Sequence, residues 1–212
     1  KNMFQKDPLL KLDKSSHSPH SIIPKLIKKE KSLILDWGCN TGIIGQEIIK
    51  KNSAIIDGID INLEALGEAK RCYRKVFARD LSDGKLEIDA ENYDYILFSD
   101  ILEHLIRPDL ILKNAKKYLK RDGRIIISLP NIARLEIRLN LLFGKFDYQP
   151  GILSEDHLRF FTKKSASEMI KKCGYEIENI IPTGFGHRIK LFPDLTAFQF
   201  IYICKKALQI KA

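Results

Sequence analysis

The chain has 212 residues, of which 44% are apolar, 30% charged and 9% aromatic; this excludes disorder, collagen-like repeats and a disulfide-stapled miniature, and fits one globular domain with a sizeable core. The net charge of +9 is terminal: residues 1–31 carry 8 basic and 3 acidic side chains, residues 32–156 carry 18 and 20, and residues 157–212 carry 10 and 4. Lys outnumbers Arg by 26 to 10, the wrong balance for bidentate readout of phosphate or guanine, so specific nucleic-acid binding is not expected.

Residues 1–21 are polar and interrupted by Pro8 and Pro19, and a short helix is expected over Pro24 to Lys31. Ser32 to Asp36 reads as a strand, W-G-C-N-T-G as a tight loop and Ile43 to Lys51 as a helix. The unit repeats with a strand over Ala54 to Asp60, a helix over Leu63 to Tyr73 and a strand over Lys75 to Ala78. Tyr93 to Phe98 is the next strand, Asp109 to Leu119 a helix opened by Pro108, R-D-G a turn, and Arg124 to Leu129 another strand. Ile132 to Phe143 has helical spacing, Gly144 to Phe161 is irregular and rich in aromatics, and Ser165 to Cys173 is a helix stopped by Gly174. Tyr175 to Ile181 and Ala197 to Cys204 alternate as strands with no helix expected between them. Alternating β and α units predict a doubly wound, Rossmann-like, mostly parallel α/β sheet of seven strands, closed by an antiparallel edge hairpin.

Cys39, Cys72, Cys173 and Cys204 form no C-x-x-C pair, so neither a zinc site nor a redox motif is suggested, and buried thiols in a reducing compartment are expected. No apolar run approaches the roughly 20 residues of a bilayer span, which makes no membrane partner and a cytoplasmic location the expectation.

In an open parallel sheet the ligand sits beyond the carboxyl ends of the strands, where the first glycine loop meets a helix. Asp36 to Gly42 falls there. Gly38 and Gly42 let the backbone turn sharply, and Asn40 is the residue that best tolerates a left-handed conformation after glycine. No G-K-[ST] follows, so a Walker loop is excluded, and the glycines at 38, 42 and 45 miss the second position of G-x-G-x-x-G. Asp60 ends the second strand 18 residues past Gly42, where a carboxylate can accept both hydroxyls of a ribose. Trp37 reads as core.

L-I-L-D-W-G-C-N-T-G, with Asp60 and with Asp80 in A-R-D-L, resembles the class I S-adenosylmethionine-dependent methyltransferases. The resemblance implies the fold of that class, S-adenosylmethionine as cofactor with S-adenosylhomocysteine as product, and cofactor contacts at Asp36, Gly38, Cys39, Asn40, Gly42, Asp60, Ile61 and Ser99. It further implies that Asp80 meets the adenine amino group with Leu81 backing the ring. F-S-D-I-L-E-H-L, I-I-I-S-L-P-N, L-L-F-G-K-F-D-Y and D-H-L-R-F-F-T resemble bacterial proteins related to methionine-biosynthesis protein W and to the ubiquinone-pathway O-methyltransferases. Relatives tend to have R-T-H-L-R-F-F where this chain has E-D-H-L-R-F-F.

Residues 1–31 are then a lead-in and 32–212 one methyltransferase domain, with a lid over 131–161. Methyl transfer to oxygen or nitrogen of a small polar acceptor follows, a sugar-like or biosynthetic intermediate by the subgroup's habit, with Phe146, Tyr148, Phe160 and His187 as acceptor contacts. His157 and His104 compete as the base, with His187 a third contender. Asp100, Glu103 and His104 resemble an E-x-x-E-H group that binds a divalent ion in some ubiquinone-pathway relatives, but Asp replaces the first Glu and no metal is expected. His17 and His20 could fold over the cofactor. Two other readings stay open: a nucleic-acid methyltransferase using the basic ends, against which F-S-D-I lacks an N-P-P-Y motif, and a non-catalytic cofactor-binding partner module. The oligomeric state is not legible.

Overall fold

The structure, a computed structural model, describes residues 13, 15–80, 92–186 and 192–207. Seven strands form one sheet in the order β3-β2-β1-β4-β5-β7-β6. They are β1 (Leu33–Trp37), β2 (Ile55–Asp60), β3 (Lys75–Ala78), β4 (Tyr93–Ser99), β5 (Leu119–Pro130), β6 (Tyr175–Pro182) and β7 (Gln199–Lys206). β7 runs antiparallel to both β5 and β6, while β1 to β5 pair in parallel. The expected hairpin is present, with β7 inserted beside β5 and β6 left at the edge.

Helices α1 (Pro19–Leu26), α2 (Ile43–Asn52), α3 (Leu63–Ala69), α4 (Pro108–Ala115), α5 (Leu135–Leu142) and α6 (Lys163–Lys172) accompany the strands. Buried side chains form a core on each face of the sheet, because a parallel sheet is covered on both sides and its central strands are apolar throughout. Ile34 packs with Ile22, Ile23 and Ile48 on one face. Leu35, Trp37, Phe98 and Tyr118 pack on the other. Trp37 stacks on Phe98 with centroids 5.0 Å apart, so its core reading holds. Asn62 caps α3 by accepting from the amides of Glu64 and Ala65, and a Thr162–Ser165 capping box opens α6. Gly174, at φ +81°, ends that helix as expected.

Several boundaries differ from the sequence reading, among them the end of α4, which stops at Ala115 because Leu119 already belongs to β5. The first helix begins at Pro19, not Pro24, because Pro19 takes the first helical turn while Ile22, Ile23 and Pro24 are buried. The R-D-G segment lies inside β5, in a register irregularity against Tyr93 and Tyr95, rather than in a turn before it. The helix expected from Ile132 starts at Leu135, because the Asn131 side chain holds the preceding turn by accepting from the Ala133 amide and donating to Asp194 and Ala197 carbonyls. A one-turn helix, Pro193–Thr196, also lies between β6 and β7. Among the described residues no helix is long and apolar enough to cross a membrane.

β2 carries a fully buried acid, Asp57, which accepts from the Nε of Arg74 at 3.0 Å, from its Nη2, and from the Tyr93 hydroxyl at 2.9 Å. Arg74→Met should therefore strand a buried charge and cost about 3–5 kcal/mol of unfolding free energy. Urea denaturation measures it, and a loss below about 1 kcal/mol would contradict this role for the pair.

Candidate active site

β1 delivers Asp36 to the carboxyl edge of the sheet, and the chain then needs three left-handed residues in five: Gly38 at φ +77°, Asn40 at +45° and Gly42 at +74°. Asn40 thus adopts the conformation for which it was singled out. The amides of Gly38 and Cys39 both donate to the Ile59 carbonyl, at 2.8 and 3.0 Å. Asp60 completes the anchorage, one oxygen accepting from the Asn40 amide at 2.7 Å and the other from the Asn62 amide at 2.9 Å. A Cβ on Gly38 would stand 2.5 Å from the Ile101 side chain, so the loop packs directly on the segment after β4.

Beneath the loop lies a residue that the sequence reading passed over. The buried Tyr73 hydroxyl donates to Asp36 at 2.6 Å. Its ring fills space left by Gly45 in α2 and Gly58 in β2; a Cβ on Gly58 would come within 2.7 Å of it, and one on Gly45 would collide with the phenol. Two glycines inside regular elements were the available signal. To bring Tyr73 there, α3 ends at Ala69 and turns, four residues before the expected end. Burial raises the Asp36 carboxyl to about 6, opposed by the Tyr73 hydrogen bond and reinforced by the charge of Asp60.

A cavity of about 480 Å³ opens over this loop, within the range of small-molecule sites. Asp36, Gly38, Cys39, Asn40, Asp60, Ile61, Asp80, Ser99, His104 and His157 line it. Gly42 does not; it is the N-cap of α2. Leu81 and His187 lie outside the described residues. Phe146, Tyr148 and Phe160 also stay out of the lining: Phe146 and Tyr148 meet edge to face at 5.6 Å on an exposed surface, and Phe160 lies 6.3 Å from the His157 ring. The lid segment instead contributes Gly151, Ser154, Asp156, His157 and Leu158, because the Glu103 carbonyl holds it by accepting from the Leu158 and Arg159 amides at 2.9 Å. The left-handed loop, the Asp60 carboxylate and this volume fit an adenosyl amino acid.

At the far end of the cavity two imidazoles meet edge to face at 4.8 Å. His157 Nδ1 lies 3.0 Å from the Ile152 carbonyl and His104 Nδ1 lies 3.1 Å from that of Asp156. A carbonyl only accepts, so each Nδ1 carries a hydrogen, and the neutral form of either ring has its lone pair at Nε2. Burial, then the neighbouring His104, pushes His157 below the ordinary imidazole value. Glu103 is 1% exposed, and neither of its carboxyl oxygens has a hydrogen-bond partner among the described residues. Burial, then the Asp100 charge, drives it well above the usual carboxyl range, which favours the protonated form. Donor atoms of Glu103, His104 and His157 lie within 4.8 Å of one another, close enough to share a proton or an ion. Asp100, the first acid of the E-x-x-E-H-like group, is held elsewhere, accepting from Ser128 Oγ at 2.7 Å and Gln199 Nε2 at 2.9 Å. His20 joins the cavity wall from α1.

Residues 15–180 match the family described as "Methyltransferase domain". A ubiquinone biosynthesis O-methyltransferase of Glaesserella parasuis is 28% identical over 171 residues, which cover 75% of this chain and 71% of that protein. A namesake from Haemophilus ducreyi is 31% identical over 107 residues, 46% of this chain and 45% of its own length. In fold, an S-adenosylmethionine-dependent methyltransferase from Clostridium acetobutylicum superposes with a TM-score of 0.68 at 17% identity, over 93% of each chain.

The raised Asp36 group makes a signed prediction. Its folded-state value of about 6 exceeds the ordinary 3.8, so its contribution to stability is present when the carboxyl is neutral, below about pH 4, and is lost as pH rises through about 6. Asp36→Asn should flatten that part of the pH–stability curve. Tyr73→Phe, which removes the donor, should cost about 1–3 kcal/mol at pH 7 by chemical denaturation.

Proposed function

We propose that this chain, which belongs to the Methyltransferase-domain family and is a class I S-adenosylmethionine-dependent methyltransferase, moves the methyl group to oxygen or nitrogen of a small polar acceptor. The observation that carries the acceptor reading is the His157 imidazole, neutral, with its Nδ1 hydrogen committed to Ile152 and its Nε2 lone pair in the cavity that the glycine loop lines.

When bound, S-adenosylmethionine supplies a methyl group on a sulfonium that is already electrophilic. The protein's task is to align an acceptor lone pair behind that methyl, exclude water and remove a proton. In this reading Asp60 would accept the ribose hydroxyls through the lone pairs that its two backbone partners leave, and Asp80 would accept from the adenine amino group. The loop from Asp36 to Asn40, with Ile61 and Ser99, shapes the remainder of the cofactor site. His157 would take the acceptor's proton at Nε2 during the transfer that the bound cofactor would supply. His104 stands beside it as the alternative base.

A lid filled by its own aromatic rings would favour the partner-module reading. Phe146 and Tyr148 lie outside the cavity, which supports room for an acceptor. The nucleic-acid reading finds no support in a cavity whose lining, among the described residues, holds six carboxyl side chains and one arginine, Arg79.

Asp60→Ala should weaken S-adenosylhomocysteine binding by about 1.5–3 kcal/mol, roughly 10- to 150-fold in calorimetry; unchanged affinity would sink the ribose assignment. With an acceptor found by screening sugars and small hydroxylated metabolites, His157→Asn should lower turnover by about 10²- to 10⁴-fold while S-adenosylhomocysteine affinity holds. The wild-type rate should fall as acid protonates His157, with a midpoint below the ordinary imidazole value. A midpoint unmoved in His157→Asn would transfer the role to His104.

A further inference from the structure

We propose that a second copy of this chain covers α5: the two copies pair through Leu135, Leu139, Leu142 and Phe143 about a twofold axis that runs along the helix. The proposal concerns the outer face of the lid segment and does not depend on the acceptor.

Helix α5 is poorly enclosed for its composition. It has eight residues, of which only Ile137 is buried. It rests on a satellite cluster of Ile137, Ile152 and Leu153, apart from the cores on the two faces of the sheet. A helix this short is marginal in water unless packing holds it. At roughly 3.6 residues per turn, Leu135, Leu139, Leu142 and Phe143 form one stripe on the side opposite Ile137. All four are exposed, Leu142 at 75% and Phe143 at 74%. Their i, i+4, i+7, i+8 spacing is that of a face packed against another element, and a helix apolar on its outer as well as its inner side is one that is enclosed. With Phe146 and Tyr148, which meet edge to face just beyond the helix, the stripe offers on the order of 600 Å² of side-chain surface. A specific interface needs roughly 500 Å² from each partner.

Charge selects the occupant. Residues 134–160 carry four basic and four acidic side chains, a neutral stretch in a chain of net charge +9. Two copies can meet here without facing like charge, whereas an anionic bilayer or a polyanion gains no attraction. Glu136 and Arg138 flank the stripe on opposite sides. Glu136 is 58% exposed although Arg134 holds it at 2.8 Å, and Arg138 is exposed while its Nε donates to the Ala133 carbonyl. A twofold axis along the helix sets each Glu136 against the partner's Arg138, so both ion pairs form at once and the contact closes as a dimer. Phe146 also lies 6.4 Å from Phe160, and Phe160 lies 6.3 Å from His157. The paired face therefore abuts the segment that carries the imidazole.

The test is sedimentation velocity on the full chain over about 1–100 μM, where the wild type should become dimeric. Leu142→Glu should weaken the dimer about 100-fold or more, with far-ultraviolet circular dichroism unchanged because the side chain is exposed in the single chain. Glu136→Arg and Arg138→Glu should each weaken it about 5- to 20-fold, and the double exchange should restore it. The exchange decides on its own if Leu142→Glu alters the fold. A wild type monomeric throughout, a dimer indifferent to Leu142→Glu, or a double exchange no better than its single members would each overturn the proposal. A monomer that floats with phosphatidylcholine–phosphatidylglycerol vesicles, and stops doing so in Leu142→Glu, would make a bilayer the cover and overturn it as well. None of these outcomes touches the cofactor assignment.

Discussion

The hydrogen bond from Tyr73 to Asp36 is the constraint around which the site is built. Asp36 is a buried carboxyl at the end of a central strand, and burial alone would make it costly. Tyr73 supplies its donor from below, at 2.6 Å. The phenol reaches it because Gly45 and Gly58 leave room on two elements and because α3 stops early. β1, α2, β2 and the end of α3 are thereby locked around one buried contact, and the glycine loop rides on top of it. Asp60 then clamps the loop from the neighbouring strand through two backbone amides, so a carboxylate on the cavity wall also holds the scaffold.

A second organising point is the turn after β4. Asp100 takes a left-handed φ of +52°, a conformation that a non-glycine residue keeps only where its surroundings enforce it. Here the enforcement comes from Ser128 on β5 and Gln199 on β7. That same turn presents Glu103, whose carbonyl holds the lid segment while its carboxyl is buried behind the cavity wall. The lid is thus held by main-chain bonds near residues 158 and 159, and its aromatic rings are free to lie elsewhere. This explains why Phe146 and Tyr148 face solvent while His157 faces the cavity.

The imidazole pair illustrates how backbone geometry sets chemistry. Neither histidine is oriented by a carboxylate; carbonyls of residues 152 and 156 do it. A carbonyl fixes the tautomer without adding charge, and burial beside a second ring keeps His157 neutral. For His157 these leave a lone pair, rather than a proton, at Nε2.

The alternation of strands and helices, the loop at 36–42 and the acids at 60 and 80 were legible in the sequence because periodicity and turn chemistry are local. Gly38 and Asn40 announce left-handed backbone, and a carboxylate at a strand end points to the carboxyl edge wherever the strand lies. The extension of β5 through R-D-G, the early end of α3, the role of Tyr73 and the partnership of His104 with His157 were not legible. Each depends on contacts between residues tens of positions apart, whose distance is set by sheet order and by how glycines let elements approach. An aromatic-rich loop looks like a lid in one dimension, but which of its side chains turn inward is decided by the hydrogen bonds that hold its backbone. The sequence alone thus determined the fold class, the left-handed loop after the first strand and the acids placed at the sheet's carboxyl edge. Tertiary structure decided which histidines converge, which rings stay outside and where the charge gathers, because those are properties of packing and burial.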